Sequence, residues 1–294
     1  MTDFVASAVP LAGGYGGETF AVSAGGEDAV IKFYAKDPGR AAVDAALLQL
    51  VHGLLPVPRV LEVKREGSYE EPPYLLTERL RGVNLQVFLE SASQEQRRTV
   101  GTQLGELLAR LSGMPFLKPG MFRDDALTVE PFGLGDLTEY VDGLELGFTA
   151  AQREGFARVI DEVEDVLADG VDRFCLVHSD FNPKNLLVDP DSARITGLID
   201  WEFAHAGSPY ADLGNLLRFS DDQVLASAVL DALRPMELGE RLVDLGRAAD
   251  VWALLDLAER APQHEIAVAA HRLVSRMADT ATLAGGRSDL GVVH

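Results

Sequence analysis

An α+β protein with a small β-rich N-terminal lobe around one main helix and a larger, mainly helical C-terminal lobe is the fold class that three observations predict. The first eighty residues alternate β-branched and aromatic runs with turn signals. After Gly82 the apolar positions switch to helical spacing. The length of 294 residues exceeds one minimal core and falls short of three ordinary domains, so the lobes are expected to span 1–80 and 81–294.

Thr19 to Ser23 and Ala29 to Tyr34 are rich in β-branched and aromatic residues, and Gly25-Gly26 between them signals a hairpin. From Pro38 to His52 the spacing of Val43, Leu47, Leu48, Leu50 and Val51 fits a helix, with Pro38 suited to its first turn and Pro56 and Pro58 beyond its end. Arg59 to Val63 and Tyr74 to Thr77 read as two more strands. Ser93-Gln-Glu-Gln96 is a capping-box pattern ahead of Val100, Leu104, Leu107, Leu108 and Leu111 at helical spacing. Gly113 to Gly135 reads as a connecting loop and Ala150 to Leu167 as a helix. Strands return at Leu186 to Val188 and Ile195 to Ile199 around the turn Asp189-Pro-Asp191. Helices are then expected over Leu213–Leu217, Asp222–Leu233, Leu242–Ala261 and His264–Met277.

Apolar residues make up 47% and charged residues 24%, the balance of a soluble globular chain. No stretch approaches the run of about 20 apolar residues that crosses a bilayer, and the start lacks the basic residues of a secretion signal, so a cytoplasmic location is expected. The single cysteine, Cys175, cannot form an internal disulfide and sits in the apolar run Phe174 to Val177, where a buried small hydrophobe is expected. A net charge of −20 argues against nucleic acid and anionic membrane as partners, since both are bound through clustered Lys and Arg. Between Phe122 and Asp172 fourteen Asp and Glu face three Arg, which suits either a solvated helical surface or a cationic ligand. A monomer and a homodimer both remain open.

The chemistry is concentrated in Leu176-Val-His-Ser-Asp-Phe-Asn-Pro-Lys-Asn-Leu-Leu-Val188, followed by Gly197-Leu-Ile-Asp-Trp-Glu202. An apolar run delivers His178, Asp180 and Asn185 into a loop, and a short hairpin returns Asp200 toward them. Phosphoryl transfer asks of a protein a carboxylate that orients the hydroxyl and takes its proton, with Mg²⁺ held against the phosphates. Asp180 fits the first role. Asn185, through its amide oxygen, and Asp200 fit the second, because Mg²⁺ takes hard oxygen ligands and one or two protein groups beside phosphate.

His-x-Asp-x-x-x-x-Asn with a downstream Ile-Asp-Trp-Glu resembles the catalytic and metal-binding motifs of the aminoglycoside phosphotransferase family, a phosphotransferase family with the bilobal protein-kinase-like fold. The resemblance runs from the glycine-rich start through Lys32, Pro56-Val-Pro58, Thr77-Glu-Arg-Leu80 and Asp212-Leu-Gly214, to about Arg218. It implies a small-molecule kinase using Mg²⁺ and ATP or GTP, with Asp180 as base, His178 bracing the loop, and Asn185 and Asp200 as metal ligands. For the nucleotide it implies Gly14 and Gly16 over the phosphates and Lys32 on the α- and β-phosphates. Backbone groups from Glu78 to Leu80 would meet the base edge, and Leu187 and Ile199 would pack below the ring. Relatives carry a glutamate on the first helix to hold the lysine; this chain offers Asp44, one methylene shorter, as the expected partner of Lys32. Asp212 resembles the helix-start aspartate that ties down the catalytic loop, and an N-terminal helix cap is its other reading.

The chain also departs from neighbouring patterns. No Gly-Lys-Ser/Thr ends a phosphate loop, so a P-loop kinase is excluded. Asn182 stands where Ser/Thr protein kinases have a lysine, and only eleven residues separate Asp200 from Asp212, too few for an activation segment. The acceptor expected is therefore a small molecule; the resemblance implies an aminoglycoside-like cationic sugar, which the acidic stretch from Phe122 to Asp172 supports, with choline, homoserine, fructosamine and macrolide kinases and a non-catalytic pseudokinase as alternatives. Asp250, Asp256 and Glu259 either line an acceptor pocket or face water.

Overall fold

A computed structural model describes residues 8–11, 18–24, 27–68, 72–133, 135–236 and 241–287. In chain order the elements are β1 (Val9–Pro10), β2 (Glu18–Ala24), β3 (Glu27–Phe33), α1 (Arg40–Val51), β4 (Val60–Lys64), β5 (Tyr74–Glu78), β6 (Val83–Asn84), α2 (Leu85–Ser91), α3 (Gln94–Ser112), β7 (Pro115–Phe116), β8 (Gly120–Phe122), β9 (Val129–Glu130), α4 (Leu137–Asp142), α5 (Ala150–Ala168) and β10 (Phe174–Val177). A single 3₁₀ turn, Pro183–Asn185, leads into β11 (Leu186–Asp189) and β12 (Arg194–Leu198), followed by β13 (His205–Gly207), α6 (Ala211–Leu217), α7 (Gln223–Leu233), α8 (Leu242–Ala249), α9 (Val251–Glu259) and α10 (Glu265–Thr280). The protein is thus α+β, β-rich toward its N-terminus and mainly helical toward its C-terminus.

Two compact units make up the chain. The first takes the described residues up to Val100 together with Lys118–Pro131 and Asn182–Ala206; the second takes Gly101–Leu117, Phe132–Phe181 and the described residues from Gly207 onward. The sequence reading drew one boundary near residue 80, whereas the β11–β12 hairpin returns to the N-terminal unit from a hundred residues away.

In the first unit β1-β2-β3-β5-β4 form one antiparallel sheet. Alternation puts Val22, Ala29, Tyr74 and Leu76 into its core, with Phe20, Ile31, Phe33 and Leu61 packed against them. Phe33 meets the rings of Phe20 and Tyr74 edge-on at 6.1 and 6.0 Å. Helix α1 buries Ala41, Val43, Ala45, Leu47, Leu48 and Val51, and each larger side chain contributes about 1.5–3 kcal/mol by leaving water. A second sheet, β12-β11-β6, carries the hairpin. Gly82 joins it at φ +136°, where a Cβ would lie 2.6 Å from Thr196 Oγ1 and 3.0 Å from the Val188 carbonyl, so only glycine fits. The Asp189 carboxylate closes the hairpin turn by accepting from the amides of Asp191 and Ser192, both at 3.0 Å. Ser93 and Gln96 form the expected capping box: the Gln96 amide donates to Ser93 Oγ and the Ser93 amide to Gln96 Oε1.

In the second unit α5 begins on a capping box of Thr149 and Gln152 and buries Phe156, Val159, Ile160, Val163 and Val166 along one face. Helices α6 and α8 touch backbone to backbone, for a Cβ on Gly214 would stand 2.0 Å from the Gly246 carbonyl. Two expectations are corrected. The segment from Gly113 to Gly135 is not all loop, since it holds β7, β8 and β9. The helix expected over Leu242–Ala261 is two helices, α8 and α9, parted at Asp250. Among the described residues no helix is long and apolar enough to cross a membrane.

Candidate functional site

Lys32, Asp44, Asn185 and Asp200 all lie in the first unit. Strand β3 projects Lys32, whose Nζ donates to Asp200 Oδ1 at 3.1 Å and to Glu202 Oε2 at 3.0 Å. Burial works against the ammonium charge, but the carboxylates of Asp200, Asp44 and Glu202 overcome it and hold the Lys32 pKa above its ordinary value. The pairing joins residues 168 positions apart, and Asp200 reaches it from a left-handed backbone of φ +67°. A non-glycine residue costs about 1–2 kcal/mol in that conformation, the kind of strain that persists where a loop is built to aim a side chain.

Asp44 does not make the direct ion pair with Lys32 that was expected. Its Oδ2 accepts from Tyr34 Oη at 2.7 Å and its Oδ1 from Arg40 Nε at 2.6 Å, which occupies both oxygens. The missing methylene explains the exchange: the shorter carboxylate stays beside α1 with neighbours on its own turn and at the end of β3. It still adds to the field that raises Lys32. Burial first, and then the Asp44 charge, push the Tyr34 hydroxyl well above its usual range, so it stays a donor.

Asn185 and Asp200 sit at the same end of the β11–β12 hairpin. Leu186 pairs with Leu198, and one residue further the Ile199 amide donates to the Asn185 carbonyl at 2.9 Å. The turn before Asn185 is fixed by Asn84 Nδ2, which donates to the Lys184 carbonyl at 2.6 Å, and by Asn182 Oδ1, which accepts from the Lys184 amide. The Leu198 amide donates to the Pro56 carbonyl at 2.7 Å, tying the hairpin to the Pro-Val-Pro turn.

An apolar surface lies beside these groups. A Cβ on Gly197 would come 2.8 Å from Leu80 Cδ1 and 3.1 Å from Leu187 Cδ1, so both leucines lie over that glycine. Leu80, Leu187 and Ile199 are half-buried rather than core residues, which leaves apolar area for a flat ring. Glu78 is engaged by Arg59: its carboxylate accepts from the Arg59 amide at 3.0 Å and its own amide donates to the Arg59 carbonyl. The Arg79 amide donates to the Asp28 carbonyl. Gly14 and Gly16 lie outside the described residues.

The second unit holds His178 and Asp180. Strand β10 ends at Val177, and fully buried His178 follows. Asp212, near the start of α6, takes the amides of His178 and Ser179 on its two oxygens, both at 2.8 Å. Ser179 stands at φ +69°, so these two bonds hold a strained loop. The His178 ring closes the turn by accepting the Asp180 amide on Nδ1 at 3.3 Å and meets Phe181 edge-on. Asp180 is half-buried. Asp212 is no helix cap: Tyr210 occupies that position and no side chain caps the helix. Burial, helped by the charges of Asp250 and Asp180, pushes the Asp212 carboxyl up to about 7 against the pull of its two amides. Cys175 is buried as expected, and burial drives its thiol up to about 12, far from any nucleophilic role.

Asp250 does not face water. It is buried and takes both arms of Arg218, Nε and Nη2, at 2.6 Å each. Asp256 pairs with Arg260 one turn along α9, and Glu259 is exposed. Nearby, the rings of Tyr140 and Trp252 pack at 4.8 Å. Burial raises the Tyr140 hydroxyl, and the charges of Asp256 and Glu259 add to that.

Sequence reasoning missed Glu202, Arg40 and Tyr34. Glu202 had a signal, an acid two residues beyond Asp200 in the same Ile-Asp-Trp-Glu segment. Arg40 and Tyr34 had none: Arg40 binds Asp44 and the Trp201 carbonyl, and Tyr34 binds Asp44 while its ring lies 5.5 Å from Lys32 Nζ. As to metal, no three His, Cys, Asp or Glu among the described residues are grouped to hold an ion alone. The amide oxygen of Asn185 and the carboxylate of Asp200 are hard donors, and that donor set fits Mg²⁺ shared with phosphate oxygens.

The model of the phosphotransferase enzyme family matches residues 7–242. Aminoglycoside 3'-phosphotransferase of Streptomyces fradiae is 31% identical over 169 residues, 55% of this chain and 57% of that protein. Acyl-CoA dehydrogenase family member 10 of Mus musculus is 25% identical over 172 residues, 56% of this chain and 15% of that protein. The chain therefore aligns with well under two thirds of the length of these curated relatives. A solved structure of a thermostable mutant of aminoglycoside phosphotransferase APH(4)-Ia, in a ternary complex with ADP and hygromycin B, shares the fold at TM-score 0.63 and 18% identity, covering 96% of this chain and 95% of that one. With the match extending from the N-terminal sheet through the catalytic loop and the Asp-Trp-Glu segment to α8, the chain belongs to the phosphotransferase enzyme family.

Proposed function

We propose that the protein is a nucleotide-dependent kinase that moves the γ-phosphate of ATP or GTP to a hydroxyl of a small molecule, with an aminoglycoside-like cationic sugar as the acceptor class. The observation that carries this reading is the ion pair from Lys32 Nζ to Asp200 Oδ1, which joins the strand lysine to the Ile-Asp-Trp-Glu segment. Family membership and the ADP held by the APH(4)-Ia neighbour support the nucleotide.

In this reading Asp180 aligns the acceptor hydroxyl and takes its proton as the new oxygen–phosphorus bond forms. The bond between the γ-phosphorus and the bridging oxygen breaks, and a nucleoside diphosphate leaves. Asn185 and Asp200 would hold Mg²⁺, which supplies charge neutralisation on the phosphate oxygens when bound. Lys32 grips the phosphates, and Leu80, Leu187 and Ile199 give the base an apolar bed. Asp212 and His178 keep the loop that bears Asp180 in its strained form.

The acceptor class follows from charge. The net charge of −20 and the acidic stretch from Phe122 to Asp172 favour a cation near the protein. The test is a screen of Mg-ATP and Mg-GTP consumption across amino sugars, macrolides, choline, homoserine and fructosamine. Turnover on amino sugars is expected. Turnover on a neutral metabolite alone would remove the acceptor assignment, and no turnover with any acceptor would favour a pseudokinase.

A further inference from the structure

We propose that Glu202, rather than a carboxylate on α1, is the positioning residue for Lys32, and that α1 acts on this pair by holding the Asp200-Trp-Glu202 backbone through Arg40. The inference rests on the kinase reading above, and it concerns the first unit alone.

Lys32 Nζ faces two acids. Asp200 is the one that a divalent ion would claim, and its side chain is 23% exposed. Glu202 is the one closed off from water, its side chain 5% exposed, with its Oε2 at 3.0 Å from Nζ. An ammonium that must remain fixed once Asp200 turns to a metal ion needs a second anion that does not. Glu202 fills that need, and because the pair is largely shut off from water, removing the carboxylate leaves the ammonium poorly compensated.

The helix side of the arrangement runs through a cation. Arg40 opens α1, is buried, and splits its guanidinium between Asp44 Oδ1 and the Trp201 carbonyl, each at 2.6 Å. Trp201 lies between Asp200 and Glu202, so the arginine grips the backbone from which both acids project. The Trp201 ring is buried and its Nε1 donates to the Leu198 carbonyl at 3.2 Å, fixing the segment from the other side. Asp44 orients Arg40, and Tyr34 Oη orients Asp44 at 2.7 Å. One link from α1 to the lysine therefore passes from Asp44 to Arg40, to the Trp201 carbonyl, to Glu202 and to Lys32, beside a shorter one through Tyr34, whose ring centroid lies 5.5 Å from Lys32 Nζ.

The test compares full-length wild type with Glu202→Gln, Glu202→Asp and Asp44→Asn. ADP affinity is measured by calorimetry with and without Mg²⁺, together with nucleotide KM, kcat and Tm. Glu202→Gln is expected to weaken ADP about tenfold with Mg²⁺ present, when Asp200 turns to the ion, and less without it, where Asp200 still pairs with Lys32, and to raise KM by more than it lowers kcat. Glu202→Asp, which keeps the charge, is expected to recover part of that affinity, whereas Asp44→Asn shows first in a lower Tm. An ADP affinity that Glu202→Gln leaves unchanged with Mg²⁺ present, or a weakening by Glu202→Gln that persists undiminished in a Lys32→Ala background, would overturn the proposal. Equal losses of ADP affinity in Glu202→Gln and Asp44→Asn would overturn it too. Wild type that binds no ADP would instead bring down the kinase reading, an outcome visible before any variant is made.

Discussion

Replacing Asp212 by asparagine separates stability from catalysis in a way that depends on pH. In the native protein the Asp212 oxygens accept the amides of His178 and Ser179, both at 2.8 Å, in a site almost closed to water. Asparagine keeps one acceptor and turns an NH₂ group toward the other amide, leaving a buried donor unmet at a cost of about 1–3 kcal/mol. The opposing effect is the charge. The native carboxyl holds its proton to about 7, against an ordinary 3.8, so between those values the folded state binds more protons than the unfolded one. Stability therefore falls as pH rises through that window, and the fully ionised group costs the native state on the order of 4 kcal/mol above it. Asparagine carries no such cost. Between pH 5.5 and 8.5 the variant should gain about 2 kcal/mol relative to wild type, roughly 4 °C in the Tm difference. Its kcat should stay about 10- to 100-fold low at every pH, because the Ser179 turn that sets Asp180 has lost one anchor. Thermal scans across that pH range and steady-state kinetics provide the assay. A Tm difference that does not move with pH, or a variant with wild-type kcat, would refute the reasoning.

The remaining predictions concern other parts of the molecule. Arg218→Met strands the buried Asp250 carboxylate and should lose about 3–5 kcal/mol in denaturant unfolding, most of it recovered in the double variant Arg218→Met/Asp250→Leu; a double variant as unstable as the single would contradict the pairing. Gly197→Ala pushes a methyl group against Leu80 and Leu187 and should raise nucleotide KM about threefold to tenfold with little change in kcat, as initial-rate measurements would show. If the acceptor is a polycation, its KM should climb as salt rises from about 0.05 to 0.5 M, since screening shortens the reach of exposed carboxylates; a flat response would speak against charge-led recognition.

Local chemistry in the sequence carried a good part of this structure. The β2–β3 hairpin, the Ser93–Gln96 capping box and the β11–β12 hairpin each declare themselves through neighbours in sequence, and each stands where expected. What the sequence hid is nonlocal. The apolar pattern runs unbroken from Leu242 to Ala261, yet the helix parts at Asp250, whose buried carboxylate is held by Arg218, thirty-two residues earlier. The strands β7, β8 and β9 are two or three residues long, too short for any alternation to show among the prolines and glycines around them. At the site, the local motifs put Lys32 on a strand and Asp200 just past the second strand of a hairpin, and the structure has them on β3 and after β12. The partner of Lys32 was misread because a one-methylene difference let Asp44 turn to Arg40 and Tyr34, and it is Glu202 that meets the lysine.

The most direct test of the central claim, that Asp180 takes the proton of an acceptor hydroxyl during phosphoryl transfer, is kcat and ADP affinity of Asp180→Ala beside wild type on the acceptor that the screen identifies. The account predicts kcat lower by about 10²–10⁴-fold with ADP affinity nearly unchanged. Turnover that survives the substitution, or a loss confined to nucleotide binding, would contradict it.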